Sequence, residues 1–352
     1  MNKMSQLNNN HNMSSTDKLG TKLGTKSYRP QHPTLVDFAS SEATQSVKDT
    51  EVRKIQALQN KMAGIVGTNL LLLADSYKTS HRKQYPFKMD GPGGYVYSYF
   101  ESRGAGAGGH EDVVFFGLQY FMKRYLQGVV VTKEKIDEAA LYYESHFGDP
   151  TVFDREAWEY IANPDGPHKG KLPVKIMAVP EGTVLPVKNV LFTMVNTDPK
   201  CYWLTNFLET LLVQVWYPMT VASNSRAQKL VILSALQKSG TPSQQEIAFK
   251  LHDFGCRGVS SMETAGLGAL AHLTQFDGTD TVPGLVFGKE YYDATSGAVS
   301  PSWGMSIPAS EHSTMTSWGD KPFDEYKAYH NMITKYHTGA VACVVDAYNM
   351  YL

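Results

Sequence analysis

The sequence predicts an α/β protein whose C-terminal part is built on a parallel sheet. From residue 246 onward, short apolar segments alternate with segments that have helical spacing. The chain has 352 residues, enough for a large core and two domains. Hydrophobic residues make up 42% and charged residues 19%, which is typical of a soluble globular protein. The alternation leaves open whether the sheet is flat or closed into a barrel.

Changes in composition divide the chain into three regions. Residues 1–65 are rich in Asn, Ser, Thr, Lys and Gln and contain the repeat KLGTKLGTK, which predicts a disordered tail. Residues 66–245 mix strand and helix patterns and are predicted to form an α+β domain. Residues 246–352 carry the regular alternation of strands and helices.

In the α+β domain, the strands follow from alternation and from Gly and Pro turns. GGYVYSYFESR alternates as a strand does, and VKIMAVPEGTVLPVKNVLFTMVN predicts hairpins. VVFFGLQYFMKRYL has apolar residues at helical spacing. A further helix is predicted after the N-cap residue Asp198, and another through NSRAQKLVILSALQKSG up to Gly240.

Four strands and three helices are predicted after residue 246. The strands are EIAFKLHDFG, FDGTD, GMSIPASEH and AVACVVDAY. The first helix, SSMETAGLGALAHLTQ, begins with Ser260 and Glu263 at the spacing of a capping box. The second is TVPGLVFGKEYYD, and the third, PFDEYKAYHNMITKYHTG, begins at Pro322 and ends before Gly339.

Each of these strands ends in charged side chains. They are Asp253, Asp280, the pair Glu311–His312, and Asp346. In a parallel barrel, all strand carboxyl ends open on one face, where active sites lie. A buried carboxylate is unfavourable unless it is paired, so these groups should meet water, a cation or a ligand. We therefore expect them to converge on one rim.

The segment KLHDFGCRGVSSMETAG connects the first of these strands to a helix. It is compatible with an ordinary turn, but it also has the parts of an anion site. Two glycines let the backbone bend, Arg257 offers a bidentate donor, and the helix N-terminus presents free N–H groups. Carboxylates beside these groups suit a phosphorylated substrate with Mg²⁺.

Charge and cysteine content exclude several classes of function. The 33 basic and 34 acidic residues give a net charge of −1, so no nucleic acid partner is expected. Cys201, Cys256 and Cys343 form no CxxC pair, which gives no sign of a zinc site or disulfides and fits a reducing, cytoplasmic environment. No apolar run is long enough to span a membrane.

Several stretches resemble the nicotinamide phosphoribosyltransferase family. They are ADSYKTSHRKQYP, VYSYFESR, AVPEG, NTDPKCYWLTNFLETLLVQVWYP, KLHDFGCRGVSSMETAG, GTDT, PASEHSTMTSWG and VDAYNMY. The resemblance implies a partial type II phosphoribosyltransferase (TIM-like) barrel, preceded by the α+β domain and the disordered tail. It also implies a pentosyl transfer, in which nicotinamide and phosphoribosyl pyrophosphate give nicotinamide mononucleotide and pyrophosphate with Mg²⁺, in NAD salvage. Members are head-to-tail homodimers with shared active sites.

The resemblance further implies residue roles for the base. Phe254 would stack on one face of the pyridine ring, and Tyr77 of a partner subunit on the other. Asp280 would accept a hydrogen bond from the carboxamide, whereas the carboxylate of nicotinate would be repelled. Ser306 and Asp253 would be further substrate contacts.

Other positions would bind phosphates or support catalysis. Arg257 would contact the ligand or its phosphates, and Arg103 of the partner would contact phosphate. Asp75 would be a further substrate-binding residue. His312 would be phosphorylated by ATP and oriented by Glu311, and Asp346 would lie near the ribose or the metal. The identity of the metal ligands stays open.

Two departures from the family pattern bear on these expectations. Cys256 stands where the family usually has an aromatic residue. Family members continue beyond the position of Leu352, so the resemblance implies a C-terminally truncated chain. Two alternatives therefore stay open: a nicotinate phosphoribosyltransferase, or an inactive truncated paralogue that acts as a dimer partner.

Overall fold

A computed structural model describes residues 69–104, 110–240, 244–292 and 304–347. These residues belong to one compact unit that spans Met62–Leu352. The predicted tail, residues 1–65, lies outside the described residues. Helices and strands are both present, which confirms the α/β class. The strands form two sheet regions, one antiparallel and one parallel.

The helices of the described residues are named α1 to α10 in chain order. They are α1 (Leu118–Phe121), α2 (Lys133–Phe147), α3 (Arg155–Ala162), α4 (Leu204–Val213), α5 (Trp216–Ser239), α6 (Gln244–Ala248), α7 (Met262–Leu273), α8 (Val282–Phe287), α9 (His312–Thr316) and α10 (Pro322–Lys335). Short 3₁₀ helices cover Leu70–Leu72, Ser76–Gln84, Pro199–Cys201 and Gly255–Gly258, and π-helical turns follow α1 and α8 at Met122–Leu126 and Gly288–Tyr292.

The first sheet region is antiparallel. Strand β5 (Val190–Asn196) lies between β1 (Tyr97–Glu101) and β3 (Val174–Ala178). Strand β2 (Asp112–Val114) pairs with β4 (Val184–Pro186). These pairings confirm the predicted strands but not the predicted hairpins. Among the described residues β3 pairs with β5 and β4 pairs with β2, so no two consecutive strands of VKIMAVPEGTVLPVKNVLFTMVN pair with each other.

One segment predicted as a continuous helix is divided in the structure. VVFFGLQYFMKRYL begins within β2 and becomes helical only at α1. Gly117 causes the change because its φ is 106°, a conformation that residues with a Cβ rarely adopt. A Cβ at this position would also lie 2.4 Å from Cγ of Pro218, so the turn packs directly against α5.

The core is formed largely by aromatic and aliphatic side chains of the first 150 described residues. Helix α4 contributes Leu204, Phe207, Leu208 and Leu211, which recur at the spacing of one helix face. The 3₁₀ turn before α4 begins at Pro199 with Asp198 as its cap, as the sequence predicts. The face of α4 therefore fixes the helix against the antiparallel sheet.

The second sheet region is parallel. Strand β6 (His252–Asp253) pairs in parallel with β7 (Gly278–Thr279), and Gly278 forms a further parallel bridge with Met305. Farther along the same segment, Ala309 bridges in parallel with Ala342. Helices α7, α8 and α10 lie between these segments in the chain. The predicted parallel pairing is confirmed for the first two strands. GMSIPASEH and AVACVVDAY, predicted as the third and fourth strands, form only isolated parallel bridges in the part of the chain that the structure describes.

Two local predictions in this region were wrong. EIAFKLHDFG was expected to be strand throughout, but Gln244–Ala248 is helical, in agreement with the helix propensity of Gln, Glu and Ala. The cap of α7 is Ser261, whose hydroxyl accepts from Thr264 N at 3.1 Å, and not Ser260. Glu263 does not close a capping box because its carboxylate accepts hydrogen bonds from Tyr120 and Tyr125.

The last helix, α10, has Pro322 at its first turn, as predicted, and ends at Lys335 before Gly339. Within the described residues, no helix has both the length and the apolar character required to cross a bilayer.

Candidate functional site

The register of β6 and β7 places the side chains of the candidate site on two opposite faces of the parallel sheet. His252 lies opposite Gly278, and Asp253 lies opposite Thr279. Since side chains alternate along a strand, the even-numbered His252, Gly278 and Asp280 share one face. Asp253 and Thr279 belong to the other face, which explains why the two aspartates have different partners.

Asp280 is held by two donors on a single carboxylate oxygen. Oδ1 accepts from His252 Nε2 at 3.0 Å and from the hydroxyl of Ser306, the residue that follows the bridge at Met305. Partial burial works against ionisation, but these two hydrogen bonds prevail and lower the pKa of Asp280 below its usual value. Oδ2 has no hydrogen-bond partner among the described residues.

Phe254 is an exposed aromatic ring beside this carboxylate. Its side chain is 65% exposed, and its ring centroid lies 4.7 Å from that of His252. An exposed ring next to a charged acceptor is a suitable platform for a flat ligand with a hydrogen-bond donor. The structure therefore joins Ser306 directly to Asp280, and Phe254 lies near Asp280 through the ring of His252.

Asp253 is fully engaged on the opposite face. Oδ1 accepts from Gly255 N at 2.8 Å, and Oδ2 accepts from the hydroxyl of Thr279 at 2.8 Å. These bonds shape the turn into the 3₁₀ helix Gly255–Gly258. A substrate would reach the Asp253 carboxylate only by displacing one of these donors.

A second polar group lies at the ends of the later strand segments. His312 Nε2 is 3.0 Å from Asp346 Oδ1, and both side chains are largely exposed. Arg257 extends from the turn after β6 and donates from Nη2 to Glu311 Oε1 at 2.9 Å. This ion pair connects the turn after β6 with the residue that precedes α9. The structure thus shows two polar groups, one around Asp280 and one around His312, and Asp253 lies on the opposite face from Asp280.

The remaining predicted residues lie elsewhere in the chain fold. Asp75 accepts from the hydroxyl of Thr210 on α4 at 2.8 Å, and Tyr77 is 54% exposed in the 3₁₀ helix Ser76–Gln84. Arg103 is exposed and lines a groove of about 850 Å³ along β1, α4 and α5. None of the three contacts Phe254 or Asp280 within the residues that the structure covers.

Two participants in the site were missed from sequence: His252 and Thr279. Both bond to a predicted aspartate. Period-two alternation places His252 on the same face as Phe254 and could have pointed to it. Nothing in the sequence alone shows the pairing of Thr279 with Asp253, because it depends on the register between β6 and β7.

One group of three possible metal ligands occurs among the residues described, and it lies away from the strand ends. It consists of His168, Asp198 and Cys201. Asp198 Oδ2 already accepts from His168 and Tyr160, and Oδ1 caps the 3₁₀ turn through Lys200 N. Burial raises the pKa of the Cys201 thiol, so these residues fit a structural polar cluster better than a metal site.

Comparison with known proteins agrees with the geometry. Residues 69–176 match the family "Nicotinamide phosphoribosyltransferase, N-terminal domain", and residues 249–352 match the "Nicotinate phosphoribosyltransferase (NAPRTase) family". The first match ends within β3, and the second covers both strands of the parallel pair. The residues between the two matches include β4, β5, α4, α5 and α6.

Curated relatives named nicotinamide phosphoribosyltransferase align over most of the chain. The protein from Xanthomonas campestris is 44% identical over 80% of this chain and 56% of the relative. Those from Acinetobacter baylyi and Mycoplasma pneumoniae are 31% and 29% identical over 80% of this chain and 55% and 60% of theirs. The chain thus spans somewhat more than half the length of the relatives it matches.

A crystal structure of human nicotinic acid phosphoribosyltransferase aligns with a TM-score of 0.45 and 17% identity, covering 71% of this chain and 42% of that one. The fold assignment therefore depends on the strand pairings above. The α/β fold and the sequence matches relate the chain to the phosphoribosyltransferases. Within that class, its curated relatives are of the nicotinamide phosphoribosyltransferase type.

Proposed function

We propose that the chain carries the base-binding part of a nicotinamide phosphoribosyltransferase. The reaction joins nicotinamide to the ribose carbon of phosphoribosyl pyrophosphate and releases pyrophosphate, giving nicotinamide mononucleotide for NAD synthesis. One observation carries the proposal: the ionised Asp280 keeps Oδ2 free of described partners beside the exposed ring of Phe254.

This arrangement favours the amide over the acid. The carboxamide NH₂ of nicotinamide can donate to Asp280 Oδ2 while the pyridine ring stacks on Phe254. Nicotinate would bring a second carboxylate to the same position, and like charges at close range repel. Because the pKa of Asp280 is lowered, this repulsion operates throughout the neutral pH range.

The polar group around His312 suits phosphate chemistry. Arg257 would exchange its bond to Glu311 for a substrate phosphate. The exposed carboxylates of Glu311 and Asp346 are hard oxygen ligands of the kind that Mg²⁺ prefers, and they would hold it next to the pyrophosphate. Bound there, Mg²⁺ would neutralise charge on the leaving group.

His312 is proposed as the site of phosphorylation by ATP. Its Nε2 bonds to Asp346, which favours the tautomer of the neutral imidazole that has the proton on Nε2 and the lone pair on Nδ1. Nδ1 would attack the γ-phosphorus of ATP, and ADP would leave. Glu311, the residue before it, would orient the imidazole through the turn that begins α9.

We further propose a homodimer with shared sites. Asp75, Tyr77 and Arg103 do not bond to the base site of their own chain; Arg103 lines the groove, and Tyr77 is exposed. Thr210, which holds Asp75, follows Glu209, which lines the groove beside Arg103. A partner chain seated on this surface would receive Tyr77 as the second stacking ring. We place the protein in the cytoplasm.

A nicotinate phosphoribosyltransferase is the second candidate, favoured by the family that matches residues 249–352. The test is to measure turnover and binding of both bases by the 352-residue chain, with Asp280→Asn as the variant. Preference for nicotinamide that weakens in Asp280→Asn would support the proposal, whereas preference for nicotinate would establish the second candidate. Base binding without turnover would point to an inactive dimer partner, and binding of neither base would refute both enzymatic functions.

A further inference from the structure

The imidazole of His252 lies between the two groups that we propose to contact the base. Its Nε2 is 3.0 Å from Asp280 Oδ1, and its ring centroid is 4.7 Å from that of Phe254. The side chain of His252 is 23% exposed, compared with 38% for Asp280, and Phe254 is 65% exposed. His252 is therefore the least exposed of these three residues.

We propose that His252 is a positioning residue for base selection, which fixes Asp280 Oδ2 toward the amide and supports the ring of Phe254. This inference rests on the proposed function. A carboxylate can rotate about its bond to Cβ, and each of its oxygens can accept hydrogen bonds. Because His252 and Ser306 both donate to Oδ1, they define which oxygen remains for a ligand.

The strand register provides the space for this imidazole. His252 lies opposite Gly278, whose missing side chain leaves room on the shared face. A Cβ at Gly278 would lie 2.6 Å from His252 Nδ1, closer than nonbonded atoms allow. Even an alanine there would push the ring away from Asp280. Gly278 thus permits the contact between His252 and Asp280 without taking part in it.

The two donors to Asp280, Ser306 and His252, differ in flexibility and in the other groups that they contact. Ser306 lies on the neighbouring segment and contributes one rotatable hydroxyl. The imidazole of His252 is a rigid ring, and it contacts the side chains of both Asp280 and Phe254. Loss of His252 should leave Asp280 ionised through Ser306 but free to rotate. The expected effect is on the choice of base, with a smaller effect on the chemical step.

The test compares KM and kcat for nicotinamide and nicotinate in the 352-residue chain and in three variants. His252→Leu removes the donor, His252→Gln keeps an N–H near the position of Nε2, and Gly278→Ala displaces the ring without altering it. His337→Leu, on an exposed residue after α10, is the matched control. Thermal melts identify variants that fail to fold.

We expect His252→Leu to raise the KM for nicotinamide about tenfold while kcat changes less, which lowers the preference for nicotinamide. His252→Gln should restore most of the preference, and Gly278→Ala should reproduce the loss. If the parent chain selects nicotinamide and a folded His252→Leu does so equally well, the inference fails and the proposed function stands. If the parent chain uses neither base, the proposed function fails and the inference fails with it.

Nitrogen NMR of the His252 imidazole gives an independent readout. With Nε2 donating to Asp280, the ring should carry its proton on Nε2, and Asp280→Asn should change that nitrogen shift. An unchanged spectrum in Asp280→Asn would contradict the positioning contact, whatever the kinetics show.

Discussion

His312 Nε2 lies 3.0 Å from Asp346 Oδ1, although 34 residues separate them. His312 begins α9, and Asp346 follows the bridge that joins Ala309 to Ala342. The parallel pairing therefore brings a histidine and a carboxylate together across two neighbouring strand ends. In the neutral imidazole, such a pair favours the tautomer with the proton on Nε2, which leaves Nδ1 with its lone pair.

Replacement of Asp346 by Asn should slow phosphorylation of His312. An amide can donate to Nε2 and so favour the wrong tautomer, with the proton on the nitrogen that should attack. We expect the rate of phosphate incorporation from γ-labelled ATP to fall at least about tenfold, as general-base effects of this size suggest. His312→Ala should incorporate none. Labelling of Asp346→Asn at the parent rate would show that Asp346 does not orient this ring.

Replacement of Arg257 by Lys should weaken binding of phosphoribosyl pyrophosphate. The guanidinium can bind two phosphate oxygens at once, whereas an ammonium group cannot offer that paired geometry. We expect the KM for phosphoribosyl pyrophosphate to rise roughly tenfold, with little change in the KM for nicotinamide. Steady-state kinetics with each substrate varied in turn will measure both. An equal rise in the KM values for both substrates would contradict a specific role of Arg257 in binding phosphoribosyl pyrophosphate.

The positions of the site residues could be predicted from sequence because strand ends are local features. Asp280, Glu311, His312 and Asp346 each follow an apolar segment, and the chain returns to the same edge after each helix. Their partners depend on register, which sequence periodicity does not report. That is why the pairing of His252 with Asp280 and of Thr279 with Asp253 emerged only from the structure.

The errors in the fold have the same origin. The segment around Gly117 has helical spacing, but the left-handed glycine stops the strand and redirects the chain onto Pro218. Ser260 and Ser261 are equally good caps in sequence, and the structure selects Ser261. Glu263 is drawn away from the cap by two tyrosines that are more than 130 residues distant. Tertiary contacts decide each case.

Loss of the Glu263 carboxylate should destabilise the fold. Oε1 accepts from Tyr120 and Tyr125, each at 2.7 Å, and Tyr120 is fully buried. Glu263→Ala would leave the Tyr120 hydroxyl without its acceptor, which costs about 2 kcal/mol. Urea denaturation will measure the free energy of unfolding. Tyr120→Phe in the Glu263→Ala background should cause little further loss, and fully additive losses would contradict the proposed coupling.

The hydrogen bonds of Asp198 should make stability depend on acidic pH. Although burial of this carboxyl favours its neutral form, hydrogen bonds from Lys200 N, Tyr160 and His168 prevail, and they lower its pKa. A carboxyl with a lowered folded-state pKa stabilises the protein fully above its unfolded pKa of about 3.9. That contribution is lost as the pH falls through the lower folded-state value.

Asp198→Asn should therefore be less stable than the parent chain at pH 7, by about 1–3 kcal/mol, and should show a flatter loss of stability below about pH 4. Urea denaturation between pH 7 and pH 3 will measure both curves. The matched control is Asp165→Asn, on an exposed residue in the turn after α3. Parallel curves for Asp198→Asn and the parent chain would show that Asp198 makes no pH-dependent contribution, because a removed titrating group must change the slope.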